Sequence, residues 1–132
     1  MKKSTLLFSA LLLFATLNAQ TFTNTTGGAI PDNNTYANYP IAVSGLTTNL
    51  NTSTFGLAYV TINLTHTNDG DLRIKLQNPQ GTIYVLTSYF GATGDNYTNT
   101  SFADSSSRMV STGIAPFLGF YKSVDPLANF NS

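Results

Sequence analysis

Twice between Leu57 and Asn78 the chain alternates apolar and polar side chains with a period of two. In the segment Leu57–His66, Val60, Ile62 and Leu64 share one phase while Thr61, Asn63 and Thr65 share the other. Asp71–Asn78 repeats the pattern, with Leu72, Ile74 and Leu76 opposed to Arg73, Lys75 and Gln77. A strand places such residues on opposite faces, whereas a helix would scatter both sets around its axis. The rest of the composition agrees. All six acids are aspartate, only 9% of residues are charged, and Thr, Asn, Ser and Gly abound. Helices built on Lys and Glu are excluded, and short strands joined by many turns are favoured.

Turn chemistry marks the strand ends. Asn78-Pro79-Gln80-Gly81 reads as a hairpin turn, because proline presets φ and glycine tolerates the positive φ that follows. Thr82–Ser88 is then the return strand, and Ile83 and Val85 against Leu86 suggest burial on both faces. Weaker strands are expected at Phe22–Thr26, Tyr39–Leu46, Arg108–Thr112 and Leu118–Lys122. Gly91–Ser107 reads as a long polar loop. Seven or so short strands with frequent turn signals specify an all-β chain, an antiparallel β-sandwich.

Residues 1–19 read as a secretory signal peptide. Lys2 and Lys3 precede an apolar run from Leu6 to Leu17, and Ala19 offers a small residue at the cleavage point. The run is shorter than the roughly 18 residues that a membrane span needs. Cleavage would leave 20–132 as one domain of secreted or cell-surface address. It would also leave Arg73, Lys75, Arg108 and Lys122 as the only Lys or Arg cations. Four scattered cations do not track a phosphate backbone, so nucleic acid is not an expected partner. With no cysteine, thiol catalysis, disulfide scaffolds and cysteine zinc sites are excluded.

Several motifs in order resemble a known family. These are Ile62-Asn63-Leu64-Thr65-His66-Thr67, Gly70-Asp71-Leu72 and Leu76-Gln77-Asn78-Pro79-Gln80-Gly81-Thr82. Gly94-Asp95-Asn96-Tyr97 and its continuation to Asp104 follow, then Pro116-Phe117-Leu118-Gly119-Phe120-Tyr121 and Pro126-Leu127-Ala128-Asn129-Phe130-Asn131. Together they resemble the proprotein convertase P domain, also called P/Homo B, over roughly residues 21–132. The resemblance implies a jelly-roll, galactose-binding-like sandwich that serves a subtilisin/kexin-like or other protease domain and tunes its calcium and pH response. Two departures are expected: no protease domain precedes the motifs, and the family's closing glycine-tryptophan strand is missing after Ser132.

Candidate chemistry is sparse. A serine triad needs a base, and the only histidine, His66, continues the inward phase of its strand. It is expected to be buried or half-buried and bonded to a neighbouring loop, and no catalytic residue is assigned. A histidine-based zinc site is improbable for the same reason. Asp69, Asp71, Asp95, Asn96 and Asp104 form the candidate calcium ligands, since this ion takes six to eight oxygens from carboxylates, amides and backbone. The competing explanation is ordinary turn chemistry, with Asp and Asn bonding their own backbone. Tyr36, Tyr39, Tyr89, Phe90 and Tyr97 offer rings for stacking on sugars. Two functions follow: a non-catalytic accessory module of a serine-type endopeptidase, or a free-standing carbohydrate- or protein-binding adhesion module.

Overall fold

The structure is a computed structural model that describes residues 19–46, 50 and 56–130. The expected signal peptide lies almost wholly outside the described residues. The chain divides into two compact units, Met1–Gly45 and Leu46–Ser132.

In the first unit the described residues form neither strand nor helix, so the strands expected at 22–26 and 39–46 are absent. At 22–26 and in the turn region that follows, short polar side chains take backbone N–H groups. Asn24 Oδ1 accepts the Thr26 N–H at 2.8 Å and Asn33 Oδ1 accepts the Thr35 N–H at 3.2 Å. Two longer ties close the segment: Asn24 Nδ2 donates to the Pro40 carbonyl at 2.8 Å, and the Tyr39 hydroxyl to the Ala29 carbonyl at 2.9 Å.

The second unit is all-β. Its strands are β1 (Val60–Leu64), β2 (Arg73–Gln77), β3 (Ile83–Ser88), β4 (Tyr97–Phe102) and β5 (Phe117–Tyr121). β2 and β3 pair as the expected hairpin. Gly81 N–H donates to the Asn78 carbonyl at 2.9 Å, Asn78 N–H to the Thr82 carbonyl at 3.0 Å, and Gly81 sits at φ +88°. That is a turn closed by a glycine bulge. The other sheet has the order β1-β4-β5, with β1 antiparallel to β4 but β4 parallel to β5. The expected all-antiparallel pairing is therefore corrected to a mixed sheet. A parallel pair needs a crossover, which residues 103–116 supply. Two sheets sharing one core are consistent with a β-sandwich. The jelly-roll winding and the closing strand are not among the described strands.

β4 runs through the segment expected to be a loop. Its sequence, Tyr-Thr-Asn-Thr-Ser-Phe, hides the strand because its two large residues lie an odd number of positions apart. Register shifts against both neighbours insert one extra residue at Asn99, which adopts φ +45°. The bulge flips the phase, so Tyr97 and Phe102 both face the core. Its polar groups are satisfied across the sheet. Asn63 Oδ1 accepts the Asn99 N–H at 2.7 Å, Ser101 and Thr61 hydroxyls lie 2.7 Å apart, and Thr100 Oγ1 donates to the Phe117 carbonyl. A second bulge places Leu86 and Thr87, neighbours in β3, both in the interior. Ile83, expected to be buried, is exposed. The strand expected at Arg108–Thr112 is instead a single bridge, Met109 to Lys122, followed by a 3-10 turn at Val110–Thr112.

The core joins Leu72, Leu86, Tyr97, Phe102, Val110, Phe117, Tyr121 and Leu127. Phe117 stacks on Tyr97 with centroids 4.5 Å apart and meets Tyr121 edge-on at 5.5 Å. Glycine makes that stack possible, since a Cβ on Gly113 would lie 2.5 Å from the Phe117 ring. After β5 the chain passes to the second sheet, where Val124 N–H donates to Leu86 and Asp125 N–H to Val85. Phe117→Ala is expected to lower the unfolding free energy by about 3–5 kcal/mol, and Gly113→Ala by about 1–3 kcal/mol. Leu118→Ala, on the exposed face of the same strand, should stay within about 0.5 kcal/mol. Urea denaturation of the three variants checks the contrast.

Candidate functional site

The chain brings two loops together at one end of the β-unit. The first, 65–72, leaves β1 and forms a 3-10 turn at Asp69–Asp71. The second, 89–96, precedes β4. They are laced by backbone groups: Asp69 N–H donates to the Gly94 carbonyl and Gly70 N–H to the Ala92 carbonyl, both at 2.8 Å. His66 and Asn96 add a reciprocal pair, with His66 N–H on Asn96 Oδ1 at 3.0 Å and Asn96 N–H on the His66 carbonyl at 3.2 Å. Asn96 then accepts the Phe117 N–H at 3.1 Å, which ties the lacing to β5.

The close approach constrains residue choice. Tyr89, Gly91, Ala92 and Asn96 all have positive φ. A Cβ on Gly91 (φ +105°) would lie 2.8 Å from both the Asp69 Cβ and the Phe117 ring. Glycine at this position is required on both counts, backbone conformation and space.

Asp69 is the unusual group. It is 0% exposed, and neither carboxylate oxygen has a hydrogen-bond partner among the described residues. Burial pushes its carboxyl above the ordinary aspartate value. The nearby Asn96 backbone N–H, already committed to His66, and the His66 ring act in the opposite direction, and the Asp95 charge adds to the rise. The Tyr97 hydroxyl, raised chiefly by burial, is bonded to Thr87 at 3.1 Å and is raised further by the Asp69 charge. A charged carboxylate here would cost several kcal/mol without a partner. A proton or a cation meets that demand.

The other candidate ligands are placed differently. Asp71 and Asp95 are exposed, and the Asn96 side chain is engaged with His66. Asp104 accepts the Leu127 N–H at 2.9 Å and the Ala128 N–H at 2.7 Å, one on each oxygen. It therefore caps the 3-10 turn at Leu127–Asn129. Among the described residues no three His, Asp or Glu side chains converge as metal ligands. Asp125, which the sequence did not single out, does the same structural work as Asp104, accepting the Val85 N–H at 2.7 Å. No spacing or motif marks it, because its partner lies 40 residues away.

His66 is half-buried, as expected, and its Nδ1 faces the Asn68 backbone, 2.9 Å from the carbonyl and 3.2 Å from the nitrogen. Its ring thus bonds its own turn, while its backbone bonds the neighbouring loop. Two aromatics leave the sugar-stacking set: Tyr97 is buried in the core and Phe90 packs against it.

Comparison with known proteins gives the context. Residues 57–113 match the family model of the proprotein convertase P-domain. Over 91 residues, 68% of this chain, the sequence is 37% identical to leupeptin-inactivating enzyme 1 of Streptomyces exfoliatus. The matched region is 20% of that enzyme's length, so the chain corresponds to about a fifth of it. No solved structure matches.

The pH dependence of Asp69 has a definite sign. Its folded-state pKa lies above the unfolded value of 3.8, so the folded state binds more protons between the two. The stability contribution is full below the unfolded pKa and is lost as pH rises through the folded one. In chelator, wild type minus Asp69→Asn should show stability falling with pH across that window. Urea denaturation at stepped pH measures it, and a flat difference would contradict the burial argument.

Proposed function

We propose that this chain, which belongs through residues 57–113 to the proprotein convertase P-domain family, is a non-catalytic accessory module of a serine-type endopeptidase. It supports the folding and stability of a subtilisin/kexin-like catalytic domain in an extracytoplasmic compartment. The observation that carries this reading is the family match, which spans β1, the hairpin, β4 and the loops that bury Asp69. The relative found is itself an enzyme far longer than the matched region, as expected if the region accompanies a catalytic unit. The β-unit also offers a surface to cover. Leu118 and Phe120 lie on edge strand β5, 57% and 52% exposed, with Tyr59 edge-on to Phe120. Among the described residues, no helix is long and apolar enough to cross a membrane.

The proposal includes calcium at the laced loops. Its support is the orphaned Asp69 carboxylate, a buried anionic group whose two oxygens are free to ligate. Asp69 would hold the ion, with Asp95 a second acid whose charge acts on it. Further ligands would have to be backbone or amide oxygens, as calcium accepts. The ion would neutralise the carboxylate and strengthen the lacing between 65–72 and 89–96.

The purified chain is expected to leave casein and fluorogenic peptides intact; turnover blocked by a serine-directed inhibitor would overturn the accessory reading. Added in trans to its host's subtilisin-like catalytic domain, the chain should lengthen the half-life of thermal inactivation. For calcium, a dissociation constant near ~1 mM implies that 10 mM ion adds about 1.4 kcal/mol, several degrees in Tm for a unit of this size. Asp69→Asn should abolish that increment, and an equal shift in both proteins would remove Asp69 from the site.

A further inference from the structure

At the end of the β-unit where the crossover meets β5, an open pocket of about 270 Å³ is lined by Ser107, Arg108, Met109, Thr112, Ile114 and Tyr121. This is just under the roughly 300 Å³ at which small-molecule sites begin. It has room for a single side chain rather than a cofactor.

Arg108 is held in this pocket before any ligand arrives. Its guanidinium lies over the Tyr121 ring, 4.3 Å from the centroid, and Nη2 donates to the Tyr121 hydroxyl at 2.8 Å. Nη1 is directed at the Leu118 carbonyl at 3.5 Å. The backbone is fixed on both sides, since Arg108 N–H donates to Ser106 Oγ at 3.2 Å and its carbonyl accepts the Lys122 N–H at 2.6 Å. Arginine carries five N–H donors, so most of the fork is left over after these contacts. Among the described residues, no carboxylate pairs with it. Arg108 is exposed, so the remaining N–H groups face solvent in a geometry that a planar anion fits. Beside it stand Met109 and Ile114, and Ile114 is 82% exposed, an apolar wall with nothing against it.

We propose that this pocket is a recognition site for a glutamate side chain of a partner protein. The carboxylate docks on the free edge of the Arg108 guanidinium, and its two methylenes lie along Met109 and Ile114. Charge complementarity selects an acid, and the adjoining apolar wall selects one on a hydrocarbon stem. Resting on the accessory-module reading, the partner is the endopeptidase domain that the chain serves. The Arg108 pocket is then a polar anchor distinct from the apolar face of β5. It is also distinct from the Asp69 loops.

The test uses the full chain and capped single residues, so it needs no peptidase and its outcome is separate from that of the accessory reading. Acetyl-glutamate N-methylamide is titrated while NMR follows the Arg108 Nε–Hε signal and the Met109 and Ile114 methyl groups. Saturable shifts are expected, with a dissociation constant of roughly 1–50 mM, the range for a single weak anchor. Acetyl-glutamine N-methylamide, the neutral isostere, should produce no saturation. Arg108→Gln should abolish the response, and Arg108→Lys, which keeps charge but loses the fork, should weaken it at least threefold. Because Arg108 packs on Tyr121, each variant is compared only after its Tm is measured. Ile114→Ala, at an exposed position, gives a second variant that weakens binding without disturbing that packing. Equal responses to glutamate and glutamine, or none at ~50 mM, would overturn the site. Tighter binding of acetyl-leucine through its α-carboxylate would overturn the assignment to a side chain.

Discussion

The backbone lacing between residues 65–72 and 89–96 is the constraint on which the rest of the β-unit depends. Once Asp69 and Gly70 donate to Gly94 and Ala92, the 3-10 turn is fixed with the Asp69 side chain facing inward. Gly91 must then be glycine, Phe117 must fit against it, and the stack of Phe117 on Tyr97 follows. The same lacing joins the ends of β1, β3 and β4, so both sheets converge on it. The cost is a buried carboxylate with no protein partner among the described residues. Of all the acids here, Asp69 is the one whose position only a proton or a cation makes favourable.

The remaining aspartates show how differently one residue type is used within a chain. Asp104 and Asp125 are bound to backbone N–H groups of Leu127, Ala128 and Val85. They fasten the segment after β5 to both the crossover and β3. The carboxylates there substitute for ladder bonds that the irregular backbone of 123–130 does not make. Asp71 and Asp95, by contrast, stand in solvent beside Asp69. The end of the unit that carries the laced loops thus holds Asp69, Asp71 and Asp95, while the edge at β5 and Arg108 is apolar with one fixed cation.

Much of this was legible in the sequence. The alternation at 60–64 and 72–77, the Asn78–Gly81 turn, the strand expected at Leu118–Lys122 and the family motifs gave four of the five strands, the hairpin and the recognition. What the sequence hid was the phase change. The bulges at Asn99 and within β3 move residues between faces, and no period-2 scan survives an inserted residue. That is why β4 read as a loop and why Ile83 was expected inside. The parallel β4–β5 pair was equally hidden, because pairing direction depends on a crossover whose path is set by packing. In the candidate site, Asp69 and His66 were visible as residues, but the division of labour among the aspartates was not. Asp104 became a cap through partners that lie far away in sequence, and Asp69 was buried without one. The strand expected at 22–26 failed for a local reason, since Asn24 bonds the Thr26 backbone, and at 39–46 the Pro40 carbonyl accepts from the Asn24 amide instead of a ladder partner.

Burial holds the Asp69 carboxyl at a raised pKa, and the calcium proposed at the laced loops would lower it by neutralising the carboxylate. The Asp69 carboxyl ¹³C chemical shift, followed through a pH titration, reads that state directly. In chelator the midpoint should lie above the unfolded value of 3.8, and saturating calcium should move it below that value. A midpoint at or below 3.8 in chelator, or one unmoved by calcium, would contradict the account.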